Sequence, residues 1–175
     1  MMAVGRNDRR AFARLVERHY GWALGFADRL LGTRHEAEDL VQTAFLRVWQ
    51  HAARWEPNAK FSTWLYRVLY NLCMDQLRVR HATSSEPLEG EFVEALADDA
   101  PSGEDSVSSQ QRDARVRAAL DRLPVRQRAA LVLCYYEERS QAEASALLGI
   151  SEGALESLLS RGRATLRKWL QDDLQ

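Results

Sequence analysis

The sequence predicts an all-α protein: an N-terminal bundle of three to four helices, an acidic flexible linker, and a C-terminal four-helix domain with a helix-turn-helix. Apolar residues recur at steps of three and four along both halves of the chain, which is the helical period. Between the halves, residues 82–111 lose this period and are rich in serine, proline, glycine and acidic side chains. Such a composition is typical of an extended linker.

The distribution of charge supports the same division. The chain has 175 residues, and its apolar share of 46% and charged share of 28% are those of a soluble globular protein. The net charge of −1 conceals thirteen Lys/Arg against eight Asp/Glu in residues 1–81, and eleven against nine in residues 112–175. Residues 82–111 hold eight acids and no Lys or Arg. Two basic lobes around an acidic strap indicate a polyanionic partner.

The sequence has no pattern typical of export or of membrane insertion. No apolar run approaches the roughly 18 residues that a bilayer-spanning helix needs, and the first ten residues lack the apolar stretch of a secretory signal. We therefore expect no membrane insertion and a cytoplasmic location. Cys73 and Cys134 lie far apart in apolar helical patterns, so we expect buried free thiols in a reducing compartment.

Two amphipathic helices are predicted first. The first covers residues 8–31, and Gly32 and Thr33 then supply a stop and a new N-cap. The second covers residues 34–54, and residues 55–60 form a loop broken by proline and asparagine. The apolar stripe of the first helix comprises Phe12, Leu15, Val16, His19, Ala23, Phe26, Ala27 and Leu30, and that of the second comprises Ala37, Val41, Ala44, Phe45, Val48, Trp49 and Ala52.

The third predicted helix, residues 61–80, carries the most informative surface. Its N-cap is expected at Ser62 or Thr63. Arginine binds phosphates, asparagine pairs with base edges and aromatic faces stack on unpaired bases. An ordinary amphipathic helix with a solvated polar face has the same pattern. We predict a buried side of Leu65, Val68, Leu69, Leu72 and Val79, an opposite side of Arg67, Asn71, Met74 and Arg78, and flanks of Trp64, Tyr66 and Tyr70.

Periodicity returns near Gln110, after a short apolar stretch within the linker at residues 92–96 that could dock on another surface. A helix through Val116 and Leu120 ends before Pro124, because the residue that precedes proline avoids helical angles. A second, very apolar helix covers residues 126–137.

The last two predicted helices form a helix-turn-helix. Ser140 and Glu143 have the spacing of a capping box, Gly149 makes a turn, and Ser151 can cap a longer, more basic helix over residues 152–170. In a helix-turn-helix the second helix enters the major groove of DNA. A plain helical hairpin with a solvated basic end is the alternative. The side opposite the apolar stripe carries Gly153, Ser157, Ser160, Arg161, Ala164 and Lys168.

Four stretches of the sequence occur in a characteristic order: E-A-E-D-L-V-Q-T-A-F-L-R-V-W at 36–49, F-S-T-W-L-Y-R-V-L-Y-N at 61–71, L-D-R-L-P-V-R-Q-R at 120–128, and S-Q-A-E-A-S-A-L-L-G-I-S-E-G-A-L-E-S-L-L-S-R-G-R-A-T-L-R at 140–167. Together they resemble bacterial sigma factors of the extracytoplasmic-function (ECF) type. The resemblance implies that residues 8–81 are region 2, which binds core RNA polymerase and recognises and melts the minus-ten element. It implies that residues 112–171 are region 4, which reads the minus-thirty-five element. The acidic linker, 82–111, would thread the polymerase channels.

The resemblance also implies three sets of site residues. The second helix would dock on the clamp coiled coil of polymerase, although a solvated charged face has the same pattern. The third helix and the loop before it would hold one base that is turned out of the stack; Trp64 and Tyr66 could instead belong to the core. The implied residues are Glu36, Asp39, Gln42, Thr43 and Arg47 for polymerase, Lys60, Ser62, Arg67, Asn71 and Arg78 for the minus-ten strand, and Ser157, Ser160, Arg161, Arg163 and Lys168 for the minus-thirty-five duplex.

The sequence departs from the family at the recognition helix, where Glu156 and Leu158 replace a common lysine and arginine. The loss of two cations weakens phosphate binding. The partners implied by the resemblance are core RNA polymerase, promoter DNA and an anti-sigma factor, with no cofactor and no metal.

Two other functions fit parts of the sequence. A free-standing helix-turn-helix repressor or activator with a sensory N-terminal lobe would usually dimerise to match two half-sites, and the sequence shows no clean dimer seam. An enzyme would need a catalytic or metal motif. The run H-E-A-E-D at 35–39 lacks the second histidine of the i, i+4 zinc pair, and no Gly-rich phosphate loop or nucleophile elbow occurs. We therefore expect no catalysis.

Overall fold

The computed structural model describes residues 1–56, 60–84 and 107–172, and within these ranges the chain is helical and contains no β-strand. The all-α prediction is therefore confirmed. The α-helices are α1 (Arg9–Leu31), α2 (Arg34–His51), α3 (Phe61–Ser84), α4 (Val107–Asp121), α5 (Val125–Leu131), α6 (Gln141–Leu148) and α7 (Glu152–Asp172), and 3-10 turns occur at Val4–Arg6 and Ala52–Arg54. We call α1 to α3 the N-terminal unit and α4 to α7 the C-terminal unit.

The bounds of α1 follow directly from its caps. The Asp8 carboxylate accepts hydrogen bonds from the backbone N–H groups of Arg10 and Ala11, at 2.9 and 3.0 Å. Gly32 ends the helix in the left-handed conformation, at φ +73°. The α2 helix then returns along α1, and its Ala37, Val41, Ala44 and Val48 are fully buried.

Two predictions for α3 are wrong in detail. The helix begins at Phe61, and the Trp64 N–H already donates to the Lys60 carbonyl, so Ser62 and Thr63 lie in the first turn instead of at the N-cap. Val79 is 59% exposed. The buried stripe is centred between Leu69 and Cys73, which places Val79 on its edge.

The C-terminal unit differs from prediction at the ends of two elements. The α4 helix begins at Val107, ahead of the predicted start near Gln110, and α3 continues to Ser84, so both ends of the predicted linker are helical. The apolar stretch at residues 92–96 lies outside the described residues. The predicted helix 126–137 is divided: α5 passes into a π-helical turn, Val132–Tyr136, in which the Glu137 N–H donates to the Val132 carbonyl.

The two units pack on each other. The α1 helix contacts α4 and α5, and α3 contacts α6. Buried apolar residues of both units join in one cluster. Cys73 is buried within it, as predicted, whereas Cys134 is only half-buried. No helix in the described ranges combines the length and apolarity that crossing a bilayer requires.

Candidate nucleic-acid interface

The predicted strand-binding residues lie along one side of α3 and just before it. Lys60, Arg67, Asn71 and Arg78 are exposed and Ser62 is half-buried. The Arg78 guanidinium pairs with Asp75 at 2.9 Å. Arg67, Asn71 and Arg78 follow one another at helical spacing, so the structure places a guanidinium, an amide and a second guanidinium on one face.

Aromatic side chains support the N-terminal end of this face. The rings of Trp55 and Trp64 meet edge to face at 5.3 Å, and Phe61 lies 5.9 Å from Trp55. The His19 ring of α1 contacts Phe61 at 5.0 Å. This packing fixes the start of α3 against the bundle, next to Lys60 and Ser62. Residues 57–59 of the predicted base pocket lie outside the described residues.

Tyr66 belongs to the core. It is 2% exposed, its ring stacks on Trp22 at 4.2 Å, and Phe26 meets it edge to face. Its hydroxyl donates to the carboxylate of Glu137, in the C-terminal unit. Burial, together with this hydrogen bond, raises the pKa of the Tyr66 hydroxyl, so the group remains a protonated donor. The sequence left the role of Tyr66 open and contained no signal for Glu137, which is 71 residues away.

The predicted polymerase-binding residues on α2 fall into two groups. Asp39, Gln42 and Arg47 are exposed. An open groove of about 880 Å³ between α1 and α2 passes Asp39 and Gln42 and is lined by the apolar side chains of Phe12, Val16, Leu46 and Trp49.

The other two predicted residues, Thr43 and Glu36, make hydrogen bonds or ion pairs with other residues of this chain. The Thr43 hydroxyl donates to the Asp39 carbonyl at 2.9 Å. Glu36 is half-buried, because it accepts from the Thr33 hydroxyl at 2.6 Å and pairs with Arg80 at 3.2 Å. Glu36 therefore ties the start of α2 to α3 and is the least available of the five.

The helix-turn-helix forms as its sequence predicts. The Ser140 hydroxyl accepts from the Glu143 N–H, and the Glu143 carboxylate accepts from the Ser140 N–H, both at 3.2 Å. Gly149 makes the turn at φ +67°. The Ser151 hydroxyl caps α7 by accepting from the Ala154 N–H at 3.2 Å.

Close packing against α5 positions α7. Leu155 and Leu159 are buried, and a methyl group added at Gly162 would approach Leu131 to 2.9 Å. Glycine at this position lets the two helices come close together. The opposite face of α7 is consequently turned to solvent.

Four of the five predicted duplex-binding residues share that outer face. Ser157, Ser160, Arg161 and Lys168 are exposed, and helical spacing places Lys168 nearly in line with Ser157 and Arg161. The Ser157 hydroxyl donates to the Gly153 carbonyl at 3.0 Å, and the Arg161 Nε donates to the Ser157 carbonyl at 3.2 Å.

Arg163 does not join this group. Its guanidinium lies to the side, where it donates to the Tyr135 hydroxyl at 3.1 Å. Tyr135 is exposed, and no pattern in the sequence indicated this pairing.

The charged side chains of the H-E-A-E-D run at the start of α2, residues 35–39, form pairs with neighbours one helical turn away. His35 lies 3.9 Å from Asp39, and Glu38 binds Arg34 at 3.1 Å. In the part of the chain that the structure describes, no three His, Cys, Asp or Glu side chains gather as metal ligands would.

Comparison with known proteins identifies the two units. Residues 15–83 match the family model for Sigma-70 region 2, and residues 113–166 match that for Sigma-70, region 4. The ECF RNA polymerase sigma factor SigW of Bacillus subtilis is 34% identical, and the match covers 97% of this chain and 94% of SigW. The ECF RNA polymerase sigma factor SigE of Mycolicibacterium smegmatis is 38% identical over 89% of this chain, which spans 60% of SigE.

A solved structure supports the same assignment. CnrH, determined in complex with the cytosolic domain of CnrY, is 30% identical and superimposes with a TM-score of 0.69 over 97% of this chain and 94% of CnrH. The fold, the two family matches in order and the near full-length similarity to SigW agree. The chain therefore belongs to the ECF family of RNA polymerase sigma factors.

Proposed function

We propose that this protein binds core RNA polymerase and directs it to specific promoters, with α3 holding the separated minus-ten strand and α7 reading the minus-thirty-five duplex. The observation that carries the proposal is the outer face of α7, where Ser157, Ser160 and Arg161 are exposed behind a capped glycine turn. Small side chains allow the helix to approach the groove closely, and the cations hold phosphates.

In this proposal the contacts of α3 with the separated strand offset part of the free energy that unpairing the bases costs. Unpairing bases costs several kcal/mol, and a pocket that hydrogen-bonds one extruded base offsets part of this cost. The Asn71 amide pairs with base edges, and Arg67 and Arg78 bind phosphates on the same side of α3. Lys60 and Ser62 extend this surface towards the preceding loop.

Core polymerase binds along α2 in this proposal. Asp39, Gln42 and Arg47 supply charged and amide groups beside the apolar groove between α1 and α2. Apolar contact surrounded by polar groups is the usual make-up of a protein interface. Glu36 and Thr43 contribute by keeping the start and middle of α2 in place.

Regulation by an anti-sigma factor is part of the proposal. Its support is the similar structure of the sigma factor RpoE of Bartonella quintana, which was solved in complex with the anti-sigma factor NepR and is 26% identical with a TM-score of 0.69. The proposed setting is a stress or environmental response in the cytoplasm. The protein would act by binding alone, without a cofactor, a metal or a reaction of its own. The acidic linker, 82–111, would pass through polymerase channels that otherwise hold nucleic acid.

The decisive experiment is in vitro transcription with core polymerase on a promoter library. We expect a subset of promoters to be transcribed only when this protein is present, with shared bases at both elements. Transcription from no promoter would refute the proposal. Core-polymerase binding by the purified chain separates it from a free-standing repressor, which would bind duplex DNA as a dimer without polymerase.

A further inference from the structure

A 3-10 turn that precedes α1 packs against the end of α2. We call it the first turn (Val4–Arg6), and its Val4 is only 2% exposed. It lies against a second 3-10 turn (Ala52–Arg54), which follows α2. Backbone meets backbone at this contact, because a methyl group added at Gly5 would come within 2.6 Å of the Ala52 carbonyl oxygen. Any side chain larger than hydrogen at this position would therefore force the two turns apart.

The first turn is itself fixed to α1. The Asn7 N–H donates to the Val4 carbonyl at 2.9 Å, and Asn7 adopts the left-handed conformation at φ +61°. The Asp8 N–H donates to the Ala3 carbonyl at 3.2 Å, and the Asp8 carboxylate caps α1. The position of the first turn is thus set by the start of α1, and the turn carries this position to the end of α2.

The second turn leads directly to Trp55. The Trp55 N–H donates to the Ala52 carbonyl at 3.3 Å, and this is the oxygen that lies against Gly5. The Trp55 ring lies 5.3 Å from that of Trp64 and 5.9 Å from that of Phe61. We call these three rings the aromatic cluster. All three side chains are half-buried, so each keeps some surface open to solvent at the start of α3.

We propose that Gly5 is a positioning residue for single-strand binding. By letting the two turns meet, it fixes Trp55 in the aromatic cluster, beside Lys60. The inference rests on the proposed role of α3. A binding site has to be held to within about 0.5 Å, so the groups that support it matter as much as those that touch the ligand. Aromatic rings stack on unpaired bases, and Gly5 acts on this stacking through the backbone of the second turn.

The test compares Gly5→Ala with Gly21→Ala and Gly32→Ala, which add the same methyl group elsewhere. Gly21 has open space around it, and Gly32 ends α1 at the opposite end from the first turn. Alanine at Gly32 lowers stability, so this variant controls for loss of stability alone. Val4→Thr keeps the branched shape but buries an unpaired hydroxyl, which loosens the first turn by a second route. It decides the test if Gly5→Ala does not fold.

One measurement reports the position of the ring and another reports its use. The NMR resonance of the Trp55 indole N–H, assigned with Trp55→Phe, is recorded for each free, folded protein. Fluorescence anisotropy then measures the affinity of each holoenzyme for a labelled single strand that carries the minus-ten sequence from the promoter library. The strand is also used with an abasic nucleotide at each position in turn. Affinity for a minus-thirty-five duplex serves as the reference.

The abasic strands separate positioning from a merely structural role. An abasic nucleotide at a stacked position should weaken wild-type binding about ten-fold, because stacking on one base is lost. We expect Gly5→Ala and Val4→Thr to shift the Trp55 resonance and to reduce this abasic penalty to less than about three-fold, with duplex affinity unchanged. A merely structural role would lower the amount of active protein and leave the penalty as it was. The Gly21 and Gly32 variants should keep both the resonance and the penalty of the wild type.

Two results would overturn the inference. An unmoved Trp55 resonance in Gly5→Ala would show that the contact between the turns does not position the ring. A shifted resonance with an unchanged abasic penalty would show that the position of the ring does not matter for the strand. Absence of any affinity of the wild-type holoenzyme for the strand would instead refute the proposed function of α3, and the Trp55 resonance would still decide whether Gly5 positions the ring.

Discussion

The buried guanidinium of Arg128, in the C-terminal unit, donates a hydrogen bond of 2.9 Å to the backbone carbonyl of Leu30, in the N-terminal unit. Leu30 lies in the last turn of α1, whose carbonyls lack partners within the helix and carry the negative end of its dipole. The same guanidinium donates to the Asp121 carboxylate at 3.1 Å and to the Leu123 carbonyl at 3.4 Å. One side chain thus joins the turn between α4 and α5 to the end of α1.

Arg128→Met should lower the free energy of unfolding by about 3 kcal/mol, because removal of a buried charged donor leaves several acceptors without a partner. Urea denaturation measures the change. Arg122→Met, at an exposed position in the turn after α4, should change it by less than about 0.5 kcal/mol. Equal losses of stability in the two variants would contradict the conclusion that Arg128 joins the α4–α5 turn to the end of α1.

Gly32→Ala should be more destabilising than Gly149→Ala. Both glycines have positive φ, so alanine costs about 1–2 kcal/mol at either position. Only at Gly32 would the new methyl group also meet Asp121, at 2.9 Å. Thermal denaturation measures the difference between the variants.

Gly21→Ala provides the matched control for those substitutions. Gly21 lies within α1 with nothing near its added methyl group, and alanine there should stabilise the protein by about 0.5–1 kcal/mol. Equal melting temperatures for Gly32→Ala and Gly149→Ala would show that Asp121 does not press on Gly32 in solution.

Asn71→Ala should impair promoter opening without affecting stability. The residue is exposed on α3, and a lost base contact is worth about 1–3 kcal/mol, which corresponds to roughly ten-fold or more in open complexes. Permanganate reactivity of promoter thymines, measured with core polymerase, reports the open fraction. Gln50→Ala, exposed on α2, is the control. Normal opening by Asn71→Ala would remove this residue from the proposed site.

Glu156→Lys should strengthen binding of the holoenzyme to the minus-thirty-five element. The variant places a cation on the exposed side of α7, and one additional phosphate contact steepens the dependence of log affinity on log salt by about 0.9. Titrations at several salt concentrations measure this slope. Glu17→Lys makes the same change of charge on α1 and should leave the slope unaltered. A similar gain in both variants would indicate a general charge effect.

Cys73 should resist alkylation in the folded protein, because burial raises the pKa of its thiol to about 12. The half-buried Cys134 should react first, and peptide mass spectrometry after timed alkylation at pH 8 distinguishes the two. Because the pKa is raised in the folded state, the contribution of Cys73 to stability is present below pH 9 and is lost as the pH rises above it. Equal labelling of both thiols would contradict the buried placement.

The sequence predicted the elements that local chemistry determines. Gly32, the Ser140–Glu143 capping box and Gly149 set helix ends through contacts within a few residues, and these predictions are confirmed. The contacts of Tyr66 with Glu137 and of Arg128 with Leu30 join residues 71 and 98 positions apart. Periodicity reports which side of a helix is buried, and it does not report what lies against that side.

The residues predicted to bind DNA or polymerase also show that periodicity predicts exposure and does not predict contacts between helices. Exposure of Ser157, Ser160 and Arg161 could be predicted because the apolar stripe of α7 leaves one opposite face. Glu36 had the pattern of a surface carboxylate, yet its partners are Thr33 and Arg80, and Arg80 comes from another helix. The base contacts themselves stay a prediction.

The number of residues in the π-helical turn at Val132–Tyr136 affects how the two units pack on each other. A π turn accommodates one residue more than a regular helix does. Deleting a single residue there would replace the i→i−5 hydrogen bond by an ordinary i→i−4 bond and shorten the path to Glu137 and Arg139 by one residue. Both side chains would then be displaced from Tyr66 although neither had been substituted. Insertions and deletions in this segment should thus disturb the packing of the two units, as replacement of the contacting side chains would.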